Sequence, residues 1–129
     1  MKKYFICILI VTSVLGCGKK APVPDVEENI AFDMNASQAV ISTSSSYDFK
    51  VTIKSKLPKA GIRIEVSATE EAGGASVSPQ PAPITATNPI TDCTVQNLPR
   101  QKWVIVNVKI TSISTSTNTS TQTFRIVYK

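Results

Sequence analysis

Apolar and polar residues alternate one for one through the middle of the chain. Tyr47, Phe49, Val51 and Ile53 are separated by Asp48, Lys50 and Thr52, and Ile62, Ile64, Val66 and Ala68 by Arg63, Glu65 and Ser67. A period of two is the spacing of extended backbone, whose successive side chains point to opposite faces. Each run therefore predicts a half-buried strand with one apolar and one charged or hydroxylic face. Trp103 to Ile113 predicts a longer strand, with Val104, Val106, Val108 and Ile110 on one face and Trp103 and Ile105 on the other. Phe124, Ile126 and Tyr128 fall in phase in a closing strand. No segment carries the three-to-four-residue apolar spacing of an amphipathic helix.

Breakers divide these runs. Pro58 and Gly61 end a loop over residues 55–61, Gly73 and Gly74 mark a turn, and Pro79, Pro81, Pro83 and Pro89 crowd the stretch after it. Proline lacks the amide donor of a sheet ladder, so that stretch is expected to be an edge or a long loop. The predicted strands are 30–35, 38–42, 47–55, 61–69, 74–78, 90–96, 102–113 and 120–128. Some seven short strands separated by turn signals over about 100 residues predict an all-β fold, a single antiparallel β-sandwich. Their order resembles bacterial immunoglobulin-like or fibronectin type III-like domains, a resemblance that implies architecture and carries no functional residue across. It implies that the loops at 55–61, 79–89 and 114–119 gather at one end, beside the start of the first strand. Residues 42–46, 70–74 and 98–102 would then form the opposite end, the better place for a protein partner.

The first sixteen residues read differently. Lys2 and Lys3 precede twelve largely apolar residues, Tyr4 to Leu15, and then Gly16 and Cys17. The apolar run is shorter than the roughly 18 to 20 residues a spanning helix needs, and the layout is that of a processed leader. Val14-Leu15-Gly16-Cys17 resembles the lipobox of bacterial lipoproteins, with an aliphatic residue three before the Cys and Gly immediately before it. The resemblance implies cleavage between Gly16 and Cys17, a diacylglyceryl thioether on Cys17, and a fatty acyl group such as palmitate on its new amine. The expected organisation is a signal peptide over 1–16, a lipidated Cys and flexible tether over 17–29, and the sandwich over 30–129. The alternative is an ordinary secretory leader in which Cys17 is incidental. In a Gram-negative cell Gly18, which is not the Asp of an inner-membrane retention signal, favours the outer membrane.

Removing the leader changes the charge and cysteine counts. Lys2 and Lys3 leave with it, taking fourteen Lys and Arg to twelve against nine Asp and Glu. Such a balance gives no basic stripe for nucleic acid. Cys7 leaves too and Cys17 is taken by lipid, so Cys93 has no intrachain disulfide partner; alternation puts it on the face of Thr91 and Val95, as a buried thiol. The chain holds no histidine, which removes the commonest general base and metal ligand. One remaining cysteine cannot build a structural zinc site, and no phosphate-binding or calcium loop is present. No metal or cofactor is expected.

Glu27 and Glu28 fall in the tether, and Glu70 and Glu71 at a strand end. Neighbours on an extended chain diverge, so neither pair is expected to converge on a substrate as glycoside chemistry requires. Trp103, beside Arg100 and Lys102, is expected to pack in the core or at its edge, with a ligand contact as the alternative. Threonines at alternate positions from Thr111 to Thr123 are read as two strand ends flanking a loop. The expected protein is a non-enzymatic, membrane-anchored binding or structural module of the cell envelope, with a protein or glycan partner. A carbohydrate-binding or adhesion module is the alternative within that class, and a hydrolase using carboxylates alone the one outside it.

Overall fold

The computed structural model describes residues 26–129. Cys7, the Val14–Cys17 sequence with the cleavage expected after Gly16, and the expected tether up to Asp25 lie outside the described residues. The described residues form eight strands and no helix: β1 (Phe32–Met34), β2 (Ala39–Ser42), β3 (Tyr47–Ile53), β4 (Ile62–Glu70), β5 (Ile84–Ala86), β6 (Ile90–Val95), β7 (Trp103–Ser112) and β8 (Thr119–Tyr128). They build a three-stranded sheet of order β1-β3-β6 and a five-stranded sheet of order β2-β8-β7-β4-β5. The two sheets pack face to face as a β-sandwich.

Alternation decides which residues meet between the sheets. Phe32, Phe49, Val51, Ile53, Cys93 and Val95 from the smaller sheet face Ile62, Ile64, Val104, Val106, Val108, Ile110, Phe124 and Ile126 from the larger one, all of them buried. The Phe124 ring meets Phe49 edge-on, with centroids 5.2 Å apart and planes at 73°, and reaches Tyr47 at 6.2 Å. Such edge-to-face pairs are favoured by the ring quadrupoles. On the outer face of the larger sheet the exception to good pairing is Asn107, whose buried Oδ1 has no hydrogen-bond partner, at a cost of about 1–3 kcal/mol.

Two features depart from the sequence expectation. Residues 74–78 are not a strand: after the Gly73–Gly74 turn only Ser76 bridges back to Thr69, and the Val77 amide donates to the Ala68 carbonyl. An edge strand does lie within the proline-rich stretch, one of the two outcomes expected there: β5 pairs with Ile62–Ile64 of β4. Its three residues, Ile84, Thr85 and Ala86, sit in the gap between Pro83 and Pro89 and keep the donors that the prolines lack. The sheets are also not wholly antiparallel, because β2 runs parallel to the end of β8, Ala39 opposite Arg125 through Ser42 opposite Tyr128. The chain leaves the smaller sheet after Met34 and joins the larger one at Ala39, so its first extended segment is divided between both.

The ends of the sandwich follow from the pairings. At one end lie the start of β1, the loop 54–61, the start of β6 and the β7–β8 turn, tied together by Ile53 N–H to Pro89 O at 2.8 Å and Ile113 N–H to Gly61 O at 3.1 Å. At the other lie the turns at 43–46, 71–74 and 96–102, tied by Leu98 N–H to Ser45 O at 2.8 Å and Glu71 N–H to Trp103 O at 2.9 Å. The 79–89 stretch does not belong to the first end alone. It begins at the second, where the Gln80 side chain bonds Gln96 in both directions, Nε2 to O at 2.7 Å and N–H to Oε1 at 3.0 Å. It then runs the length of the sandwich as a strap. Ser78–Pro79 is a cis peptide, and Asn97 Nδ2 donates to the Pro79 carbonyl at 2.7 Å.

Gly61 is fixed by geometry. Its φ is +91°, and a Cβ there would stand 2.7 Å from the Ala86 carbonyl oxygen of the edge strand. Left-handed backbone together with that close approach leaves room only for glycine.

Candidate functional site

Two clefts lie at opposite ends of the sandwich. The first, of about 310 Å³, is bounded by Val26, Glu27 and Glu28 on one side and by Lys56, Leu57, Pro58 and Ser114 on the other. It forms because the segment before β1 is bonded to the domain rather than leaving it directly. Glu27 accepts from Ser114 Oγ through a short hydrogen bond and from Asn118 Nδ2 at 3.2 Å. Asn118 also donates to the Glu28 carbonyl at 3.0 Å and accepts the Ile30 amide at 3.0 Å. Lys56 N–H donates to the Glu28 carboxylate at 3.2 Å. Donors that favour the charged form, the Ser114 and Ser112 hydroxyls above all, hold the Glu27 carboxyl below its ordinary value. Sequence alone placed Glu27 and Glu28 in the tether; the loop that captures them is some ninety residues further on.

The second cleft, of about 570 Å³, is lined by Glu70, Glu71, Ala72, Gln101, Lys102 and Trp103. Trp103 opens β7 on the outward face of the larger sheet, opposite buried Val127 of β8, which is itself opposite exposed Ile41 of β2. The indole is half-buried, neither a core residue nor a bare platform. The guanidinium of Arg125 lies 4.3 Å from the ring centroid, a cation–π contact, and is held there by Glu71 Oε2 at 2.7 Å. Lys102 Nζ is 3.0 Å from both oxygens of Glu70. Glu70 and Glu71 thus turn to separate cations.

No family model and no curated protein matches the chain. The reading of its surfaces therefore rests on geometry. Arg125 was not singled out in the sequence, since it faces Ile105 in the strand register and reaches Trp103 only diagonally. Cys93 lies on the inward face of β6 opposite Phe49, 2% exposed. Burial, then the Asp92 charge, pushes its thiol up to about 11, which leaves almost no thiolate at neutral pH. Among the described residues no three His, Cys, Asp or Glu side chains gather as a metal site, and no helix is long and apolar enough to cross a membrane.

Proposed function

We propose that this protein is a lipid-anchored, non-catalytic module of the bacterial cell envelope, held in the membrane by acylated Cys17 and presenting one β-sandwich. The observation that carries the reading is the Val14-Leu15-Gly16-Cys17 sequence behind a cationic start and a short apolar run. Two or more acyl chains anchor a protein stably where one does not, so Cys17 would need no second membrane signal. The strand order, with the first extended segment divided between the two sheets, supports the immunoglobulin-like resemblance. The separate cation partners of Glu70 and Glu71 support a binding or structural role over a carboxylate hydrolase.

The test is intact mass and membrane fractionation of the wild type against Cys17→Ala. The wild type should lose residues 1–16, gain the mass of its acyl chains and partition with membranes, the outer one in a Gram-negative cell. The Cys17→Ala chain should do none of these. Identical masses and partitioning would end the lipoprotein reading.

The half-buried indole of Trp103 in a cleft with polar walls favours a second reading, a glycan-binding or adhesion module. The two ion pairs leave that cleft without net charge, which suits a neutral sugar stacked on the ring. Trp103 is the chain's single tryptophan, so its fluorescence reports on the cleft alone. A saturable change with neutral oligosaccharides, lost on Gln101→Ala, would support this reading; an emission unmoved across a panel of neutral glycans would remove it.

A further inference from the structure

Four large hydrophobic side chains are exposed among the described residues: Val26 at 83%, Ile41 at 63%, Ile90 at 57% and Ile113 at 47%. Three of them lie at the end where the chain enters the sandwich. Ile90 opens β6 beside the Pro89 carbonyl that accepts the Ile53 amide, Ile113 follows β7 and donates its amide to Gly61, and Val26 lines the cleft against Leu57 and Pro58. Ile41 alone sits at the opposite end, opposite Val127. Single exposed apolar residues need no explanation, but three at the end where the chain enters the sandwich set apolar side chains beside its point of attachment.

We propose that this end is a bilayer-docking face, which rests with Val26, Ile90 and Ile113 at the headgroup boundary of the membrane that holds the lipid on Cys17. The inference rests on the lipid-anchor reading and adds an orientation to it. Eight residues separate Cys17 from Val26, a reach of at most about 30 Å, and this end of the sandwich is the one they join. From Glu27 onward the chain is fastened to Ser114, Asn118 and the Lys56 amide, so residues 27–29 of the expected 17–29 tether belong to the folded domain. A short tether makes docking intramolecular, and weak apolar contacts then suffice.

The charges at this end say which force acts. Lys54, Lys56 and Lys59 are offset by Glu27, Glu28 and Asp33, with Lys54 Nζ 3.7 Å from Asp33. Docking is therefore driven by apolar contact, and should change little with ionic strength or with the share of anionic lipid. The lysine stems can lie along the apolar surface with their ammonium groups among the headgroups.

The experiment uses the mature lipidated protein in vesicles of phosphatidylethanolamine and phosphatidylglycerol whose acyl chains carry a nitroxide quencher. Ile90→Cys, Ile113→Cys and Ile41→Cys variants each take an environment-sensitive dye, Cys93 being buried and Cys17 blocked by its lipid. Dyes at 90 and 113 should shift to the blue and be quenched several-fold more strongly than the dye at 41, in low and high salt alike. Ile90→Glu together with Ile113→Glu should reduce quenching of a dye at Val26→Cys to the level seen at 41. Equal quenching at all three sites, or none at 90 and 113, would overturn the docking face while leaving the anchor intact. A purified protein whose mass shows no lipid would instead remove the anchor, and the docking proposal with it.

Discussion

Replacing Phe124 by Ala removes the ring that joins the two sheets. Phe124 is 3% exposed and meets Phe49 and Tyr47, both from the opposite sheet, edge-on at 5.2 and 6.2 Å. Truncating a buried Phe costs about 3–5 kcal/mol, and each lost aromatic pair accounts for about 0.5–1.5 kcal/mol beyond burial. This site should therefore fall in the upper part of the range, against a total of about 5–15 kcal/mol for a domain of this size. In urea, with a slope of about 1–3 kcal/mol/M, the midpoint should drop by roughly 2 M. The ring contact itself is isolated by Phe49→Leu, Phe124→Leu and the double variant, which keep most of the apolar volume. Their cycle should give a coupling of about 0.5–1.5 kcal/mol. A loss below about 1 kcal/mol for Phe124→Ala, or single variants that add within about 0.3–0.5 kcal/mol, would refute the account of how the sheets are held.

Gly61→Ala should destabilise by about 1–3 kcal/mol through its left-handed backbone and the close Ala86 carbonyl, read as a lowered thermal midpoint; an unchanged midpoint would refute the constraint. Glu27 has its folded-state value below the ordinary 4.5, so the attachment it makes is fully present above that value and is lost as pH falls through the lowered one. An NMR titration of the Ser114 and Asn118 signals should show a midpoint below 4.5, and Glu27→Ala should speed amide exchange at Ile30; a midpoint at or above 4.5 would contradict the hydrogen bonding described. The Cys93 thiol should react with a disulfide reagent at mildly alkaline pH only as fast as the domain opens, and at the free-thiol rate in denaturant. Native-state reaction at the free rate would show that the thiol is not enclosed.

The long strands were legible because their burial is one-sided. Along β3, β4, β7 and the end of β8 an alternating sequence leaves one register that hides Phe49, Ile62, Val106 and Ile126 and exposes Lys50, Arg63 and Arg125. The short edges were only partly legible. β5 holds three residues between prolines, where an edge and a loop were both open, and residues 74–78 carry small and apolar residues that could pair but meet only the end of β4 from Ala68 to Glu70. Of the candidate site residues, phase set Trp103 only on the face opposite Val104 and Val106, while its half-buried place, its cover by Arg125 and the bonds of Glu71 depend on which strand lies next to which.

Local order in the chain determined the long strands, their inward faces and the absence of histidine, because each is a property of neighbouring residues or of composition. The fold decided everything that joins residues far apart in sequence. Ser114 and Asn118 capture Glu27, Arg125 lies on Trp103, and Val26, Ile90 and Ile113 come to one end while Ile41 goes to the other. Pattern fixes the direction in which a side chain points relative to its own strand; only the packing of two sheets sets what it meets there.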